Sequence, residues 1–412
     1  MLIAGEASGD LLAGELVQAL REEFTRAEAI PTWDYQPLQA SLEPRFFGAG
    51  GPRMAAAGVD LAFDMTEHSV VGLLDVAKNY FKFRRLFRQL FRLVLEREPD
   101  VIICVDFSGF NRRFARAIKH YVRSRRDWFH DWDPKIVQYV SPQVWASREG
   151  RAYQMARDYD LLVSILAFEK EWYAKRVPRL RVEFVGHPLL DRYPNAGRAA
   201  TPPSVPHVPF SPMVLLLPGS RADELRRHLP VMLGALARMR ATLPQLHARM
   251  VLSTDALVTQ AKTLVLPANL EVRAGGLAPS LAAADVVIAS TGTVTLECAY
   301  FGVPAVAIYK AAWSDYQIAR RIVNVKYLAM PNLLAHDEIF PEFIQHAASA
   351  QNIARAALDL LCDEKRRAEV KTKLAAVVAQ LGSPGASRRA ARAILRVLEP
   401  EAAIAGSPMV AT

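Results

Sequence analysis

An arginine placed just after a glycine turn, where an apolar run gives way to a helical pattern, is a ready means of holding phosphate. LLLPGSRADELRRHLP (215–230) has this form: the run ends at Pro218, turns through Gly219 and Ser220, and presents Arg221 near a helix start. Free backbone N–H groups and the helix dipole attract anions there, and a guanidinium grips two phosphate oxygens. A solvated arginine paired with Asp223 or Glu224 accounts for Arg221 equally well. A second segment, DVVIASTGTVTLECAYFGVPAVAI (285–308), tips the balance. Its hydroxyl-rich turn Ser290, Thr291, Gly292 and Thr293 predicts a second anion cradle at a helix N-terminus. Glu297 follows one turn later, within reach of a ribose. Helix capping alone explains the serine and threonines, but not Glu297. No GxxxxGK[ST] loop occurs.

The first half of the chain holds carboxylates at comparable places. GEASGDLLAGELVQAL (5–20) passes from strand to helix through Glu6, Ser8 and Asp10. Ser8, Gly9 and Asp10 suit a helix cap, whereas Glu6 precedes the cap. FFGAGGPRM (46–54) is a further strand-to-glycine turn and carries Arg53. In CVDFSGFN (104–111), Asp106 ends a strand and is a candidate catalytic group, since Asn111 is available as the cap. YVSPQVWASREGR (139–151) adds Ser141 and a bulky Trp145.

Such residues need strand-end loops to carry them. Short apolar runs alternate with longer helical patterns, which favours parallel α/β sheets. LIA (2–4), FFGA (46–49), VIICV (101–105), KIVQYV (135–140), LLVSIL (161–166) and VEFV (182–185) read as strands of the first half. VLLL (214–217), VVIA (286–289) and VPAVAI (303–308) are the clearest in the second. The brevity of LIA points to a truncated sheet edge or to missing residues before it. A chain of 412 residues suits two domains of roughly 200 each. The divisions expected are 1–190, a proline-rich linker at 191–212, a second domain at 213–385, and a C-terminal helix with a loose tail at 386–412. Polar, aromatic insertions are expected at 31–44 and 126–135.

Three widely spaced cysteines form no CxxC pair, so neither a disulfide framework nor a cysteine-rich zinc site is indicated. No apolar run approaches the ~20 residues that span a bilayer, and MLIAGEASGD lacks a basic leader. A cytosolic protein is expected. The net charge of +9 and pI near 9.5 call for an acidic partner. KNYFKFRRLFRQLFRLVLERE (78–98) reads as a basic amphipathic helix whose packed stripe is Phe83, Leu86, Phe87, Leu90, Leu93 and Val94. Phe81, Arg84, Arg85, Arg88 and Phe91 are its candidates for an anionic membrane surface. No helix-turn-helix, RNP or zinc pattern accompanies the charge, so nucleic acid is not expected.

In order and spacing, GEASGD (5–10), GAGGPRM (48–54), SVVGLLDV (69–76), VDF–FN (105–111), YVSPQVWA (139–146), FVGHPLLD (184–191), LLPGSR–E (216–224), STGTVTLE (290–297) and MPNLLA (330–335) form one set. The set resembles the lipid-A-disaccharide synthases, inverting GT-B glycosyltransferases of bacterial outer-membrane biogenesis. Gly109, Ser147 and Ala167 depart from the family's usual aspartate, tryptophan and proline, and His336 or Asp337 from its basic residue. The resemblance implies two Rossmann-like domains whose parallel sheets face a central cleft. It implies transfer of 2,3-diacylglucosamine from its UDP conjugate to 2,3-diacylglucosamine 1-phosphate. Asp106 is then the expected base and Glu6 the runner-up. Arg221, Ser220 and the 290–293 turn would steady the diphosphate, and Glu297 the ribose. Ser8, Asp10, Arg53, Asn111, Ser141, Trp145 and Asn332 would line the acceptor site. No DxD clamp occurs, so neither a metal nor another cofactor is expected. Such an enzyme works on the inner face of the cytoplasmic membrane; a homodimer is left open. The alternatives are a polyprenyl-linked sugar transferase, a UDP-sugar 2-epimerase, or a relative that binds nucleotide sugar without catalysis. YVSPQVWA and MPNLLA speak against the first two, and Asp106 against the last.

Overall fold

The computed structural model describes residues 1–28, 43–66, 80–194 and 211–399. SVVGLLDV (69–76), Lys78, most of the 31–44 insertion, most of the linker and the tail from Pro400 lie outside them. Contacts divide the chain into two units: Met1–Asp191 joined by the chain from Leu381 onward, and Arg192–Gln380.

The first unit is built on seven strands: β1 (Leu2–Ala4), β2 (Phe47–Gly50), β3 (Asp60–Asp64), β4 (Val101–Val105), β5 (Lys135–Tyr139), β6 (Leu161–Ser164) and β7 (Val182–Phe184). Their order is β3-β2-β1-β4-β5-β6-β7, and every neighbouring pair is parallel. The apolar runs are continuous because helices cover both faces. Ile3, Ile102 and Cys104 enter one core; Leu2, Ala4, Ile103 and Val105 enter the other, as a side-chain period of two requires. β1 lies inside the sheet between β2 and β4, so the brevity of LIA does not mark a truncated edge.

The second unit has six parallel strands, β8 (Met213–Leu217), β9 (His247–Leu252), β10 (Leu270–Ala274), β11 (Val286–Ser290), β12 (Ala305–Tyr309) and β13 (Glu342–Ile344). Their order is β10-β9-β8-β11-β12-β13. β3, β10 and β13 border their sheets and carry charge, so no apolar run announces them. The apolar run of β9 is interrupted by Arg249, whose Nε donates to Glu271 of β10 at 2.6 Å.

Each sheet reverses its order once, between β1 and β4 and between β8 and β11. Ligands of open α/β sheets bind beyond the strand ends at such switch points. The loops there contain Glu6 and Asp106 in one unit, and Arg221 and Thr291 in the other.

The basic helix spans Tyr80–Arg97. Leu86, Leu90 and Val94 are buried, and Phe83, Phe87 and Leu93 flank them. Phe91 departs from its expected role: it is partly buried, edge-on to Phe114 and Tyr121 at 6.5 and 5.8 Å. The neighbouring helix supplies these rings, which the helical spacing of one segment does not show. Phe81 is 79% exposed, and Arg84, Arg85 and Arg88 are exposed. The C-terminal helix Ala386–Leu398 buries Ala386, Ala390, Ala391, Ala393 and Ile394, and packs on the helix Ala7–Glu28. Arg392 Nε donates to the buried Glu23 carboxylate at 2.7 Å.

Candidate active site

Asp106 follows β4 in a strained turn. Asp106 and Phe107 both take left-handed backbone, at φ 47° and 41°, which costs roughly 1–3 kcal/mol per residue away from glycine. Hydrogen bonds hold the turn. The Asp106 N–H donates to the Tyr139 carbonyl at 2.9 Å, and the Asp106 carbonyl accepts from Gln138 Nε2 (3.1 Å) and Asn111 Nδ2 (2.9 Å). Asn111 therefore braces the turn instead of capping the helix Ser108–Arg125, whose N-cap position is Phe107. It is fully buried, and its amide faces the strand end.

The Glu6 loop lies against this turn. A Cβ on Gly5 would overlap the Phe107 ring, and one on Gly9 would stand 3.6 Å from the Asp106 Cβ. Gly5 therefore demands a glycine-sized residue, whereas a Cβ at Gly9 would make ordinary contact, and the two loops come together at the switch point. Ser8 is exposed. Asp10 does not line the site. Its buried carboxylate accepts from the N–H groups of Gly51 (2.7 Å), Arg53 (2.9 Å) and Met54 (3.0 Å), capping the short helix Pro52–Ala56. Sequence places Asp10 beside its own helix start, but the N–H donors that satisfy it come from β2's loop. The Arg53 side chain is exposed.

Beside β5, Ser141 is buried, with its hydroxyl 3.3 Å from the Tyr173 phenol. It belongs to an internal network and not to an open surface. Trp145 is half-buried and donates through Nε1 to Glu169 at 2.8 Å; Ser164 Oγ lies 2.5 Å from the other oxygen. Burial pushes the Glu169 carboxyl up to about 7, against the hydrogen bonds from Ser164, Trp145 and Ser141. The Trp145 ring meets Phe168 edge-on at 5.0 Å. Glu169 was missed in the sequence because no spacing joins residues 141, 145, 164 and 169; only the sheet does.

In the second unit, Arg221 occupies the N-cap position of the helix Ala222–Thr242. Its Nη1 is 3.3 Å from Glu224 Oε1, while Glu224 Oε2 accepts the Ser220 N–H at 3.0 Å. Gly219 has φ 126°, and a Cβ there would collide with the Glu224 side chain. Glu224 thus closes a cap and steadies the guanidinium at once. Ser220 is exposed. His228, two turns on, is buried: Nδ1 lies 2.7 Å from the Pro218 carbonyl, and Nε2 accepts the Lys310 N–H at 2.9 Å. That pairing leaves the proton on Nδ1, and burial lowers the imidazole's affinity for a second. His228 fastens the loop after β8 to the loop after β12. Its signal in the sequence was a histidine two turns beyond Arg221 on the inward face.

The hydroxyl-rich turn is narrower than expected. Ser290 closes β11 and is buried, so the accessible part is Thr291, Gly292 and Thr293. Gly292 has φ 136°, a Cβ there would meet nothing within 4 Å, and no side chain caps the helix Thr293–Tyr300. The space beside this uncapped helix start is open, as an anion cradle requires. Glu297 is half-buried, 3.4 Å from the Tyr193 hydroxyl, and burial raises its pKa. Asn332 does not line the site. It is fully buried, accepts from the Ile339 and Phe340 N–H groups, and donates to the Phe340 carbonyl and Glu342. MPNLLA is an internal brace because a folded-back chain consumes both ends of that amide.

The family profile described as lipid-A-disaccharide synthetase matches residues 1–397. The chain is 34% identical over 403 residues to the lipid-A-disaccharide synthase of Geobacter sulfurreducens, covering 97% of each. It is also 34% identical over 410 residues to that of Nitrosococcus oceani, covering 97% of this chain and 96% of the relative.

The chain belongs to the lipid-A-disaccharide synthetase family.

Among solved structures, the kitacinnamycin glycosyltransferase superposes with TM-score 0.55 at 18% identity, covering 93% of this chain and 95% of its own. UDP-GlcNAc 2-epimerase from Neisseria meningitidis, bound to UDP-GlcNAc, gives 0.52 at 10% identity, covering 84% and 88%. At such identities the likeness speaks for the fold alone, and that fold is GT-B. Among the described residues no helix is long and apolar enough to cross a membrane.

Proposed function

We propose that this protein transfers 2,3-diacylglucosamine from UDP-2,3-diacylglucosamine to 2,3-diacylglucosamine 1-phosphate. The products are the β-1′,6-linked disaccharide 1-phosphate and UDP. The observation that carries this reading is Asp106 in a braced, strained turn at the first unit's switch point, in a chain of this family. Asp106 takes the proton from the acceptor 6-hydroxyl as its oxygen bonds to the anomeric carbon. The bond from that carbon to the diphosphate breaks on the opposite side, which inverts the centre. Arg221 and the N–H groups of Gly292 and Thr293 receive the negative charge of departing UDP, and Glu297 accepts from the ribose hydroxyls. Glu6, beside Asp106, positions the acceptor. Purified protein given both acylated sugars is expected to release UDP only when the 1-phosphate acceptor is present, with disaccharide seen by mass spectrometry. EDTA should leave the rate unchanged. Equal use of UDP-N-acetylglucosamine without acyl chains would sink the lipid assignment.

The same reading places the protein at the inner face of the cytoplasmic membrane, held by the helix Tyr80–Arg97. Phe81 with Arg84, Arg85 and Arg88 supports this, an exposed ring among exposed cations. Each basic residue near an anionic surface contributes about 1 kcal/mol, screened beyond ~10 Å at 0.1 M salt. Sedimentation with anionic liposomes should show binding that weakens, but persists, as salt rises. Arg84→Gln, Arg85→Gln and Arg88→Gln together should weaken it, and Phe81→Ser should remove much of the salt-resistant part. Equal binding to neutral vesicles would make this helix a crossover with a wet face.

A further inference from the structure

Four arginines converge where no described carboxylate pairs with them. Arg112 and Arg113 stand in the second turn of the helix Ser108–Arg125, which begins two residues after Asp106. Arg148 precedes, and Arg151 begins, the helix Arg151–Asp158. These two helices pack on each other. Burial first, and then the charges of Arg112, Arg148 and Arg113, together lower the Arg151 pKa to about 10. Arg112 moves in the same direction, through burial first and then Arg113 and Arg148, against Tyr159 and Asp158.

The nearby acids do not neutralise the group. Glu149 is engaged by Arg176 at 3.2 Å. Asp158 is buried, which raises its pKa against the pull of Arg157, Arg116, Arg123 and Arg112. The only side-chain hydrogen bond from the four, among the described residues, runs from Arg112 Nη1 to Gln154 at 3.2 Å. Arg112 Nε is buried and meets no acceptor. There is also room: a Cβ on Gly109 or on Gly150 would meet nothing within 4 Å. Mutual repulsion among partly desolvated guanidinium groups is unfavourable unless an anion joins them. Arg112 and Arg113 lie four and five residues along the helix from Ser108, ~6–8 Å of rise, within the reach of one sugar with a charged substituent.

We propose that Arg112, Arg113, Arg148 and Arg151 form a subsite for a phosphomonoester, the 1-phosphate of the acceptor sugar, whose far hydroxyl Asp106 deprotonates. The assignment rests on the function proposed above and gives it a polarity: phosphate toward the arginines, reacting hydroxyl toward the β4 turn. A bidentate guanidinium suits a phosphate dianion as an ammonium does not.

The test compares the full-length protein with its Arg148→Gln/Arg151→Gln variant, and with Arg113→Gln, an exposed position that carries little packing. KM for the phosphorylated acceptor should rise about tenfold or more in the double variant, with UDP affinity unchanged. 2,3-Diacylglucosamine lacking the phosphate should be used equally by wild type and variant. Arg151→Lys should recover only part of the loss. An unchanged acceptor KM would overturn the proposal, as would an equal loss with both acceptors. So would a loss confined to sedimentation with anionic vesicles, which would assign the arginines to a lipid headgroup. Calorimetric titration with glucosamine 1-phosphate separates this site from the broader reading. If wild type makes no disaccharide, the proposed reaction fails. Binding of that probe, abolished in the double variant, would still uphold the subsite, and equal binding would refute it.

Discussion

Asp106→Asn is expected to lower kcat by roughly 10²–10⁴-fold, the usual contribution of a positioned general base, while UDP affinity stays at the wild-type level. Asparagine keeps the size and tolerates left-handed backbone well, so the turn at φ 47° and its bonds from Gln138 and Asn111 should survive. What disappears is the capacity to take a proton. Steady-state kinetics with both acylated sugars, with circular dichroism as the folding control, would measure this. Glu6→Gln is expected to act mainly on acceptor KM. A larger fall in kcat for Glu6→Gln than for Asp106→Asn would exchange the two roles, since the loops touch at Gly5 and Gly9. A small, equal effect of both would remove the base from this switch point.

Arg221→Ala is expected to reduce kcat by ~10²-fold or more, the cost of removing one donor to a developing anion. Two effects add. The charge-assisted contact to the diphosphate is lost, and Glu224, now unpaired, repels the incoming phosphates. Combining Arg221→Ala with Glu224→Gln should therefore recover part of the loss, because glutamine can still accept the Ser220 N–H. Stability should change little: the Arg221–Glu224 pair is partly exposed, and such pairs contribute about 0–1 kcal/mol. Chemical denaturation would check this beside the kinetics. Unchanged kinetics in the single variant would leave Arg221 as a partner of Glu224 and nothing more.

The residues that look alike in sequence separated sharply in three dimensions. Asp106 and Asp10 both follow short strands, yet one stands in a strained, half-buried turn and the other caps a helix with both oxygens. Arg221 and Gly292 sit at helix starts, as their turns predict. Asn332 and Ser141 sit within motifs that carried the resemblance, but their side chains are spent inside the protein. A motif records that a residue matters, and bracing a loop satisfies that as well as touching a ligand does.

Local chemistry determined what the sequence could tell by itself: the buried strands, the glycine turns, the basic helix and the type of group each loop presents. These follow from side-chain periodicity and backbone sterics over a few neighbouring residues. Edge strands β3, β10 and β13 escaped because charge at a sheet border erases the apolar run. Only tertiary structure decided that β1 and β4, nearly a hundred residues apart, lie side by side and bring the loop of Glu6 against the Asp106 turn. It alone joined Arg112 to Arg151 and His228 to Pro218 and Lys310. Parallel pairing requires long crossovers, so the partners that make these sites are distant in the chain, where no spacing rule reaches.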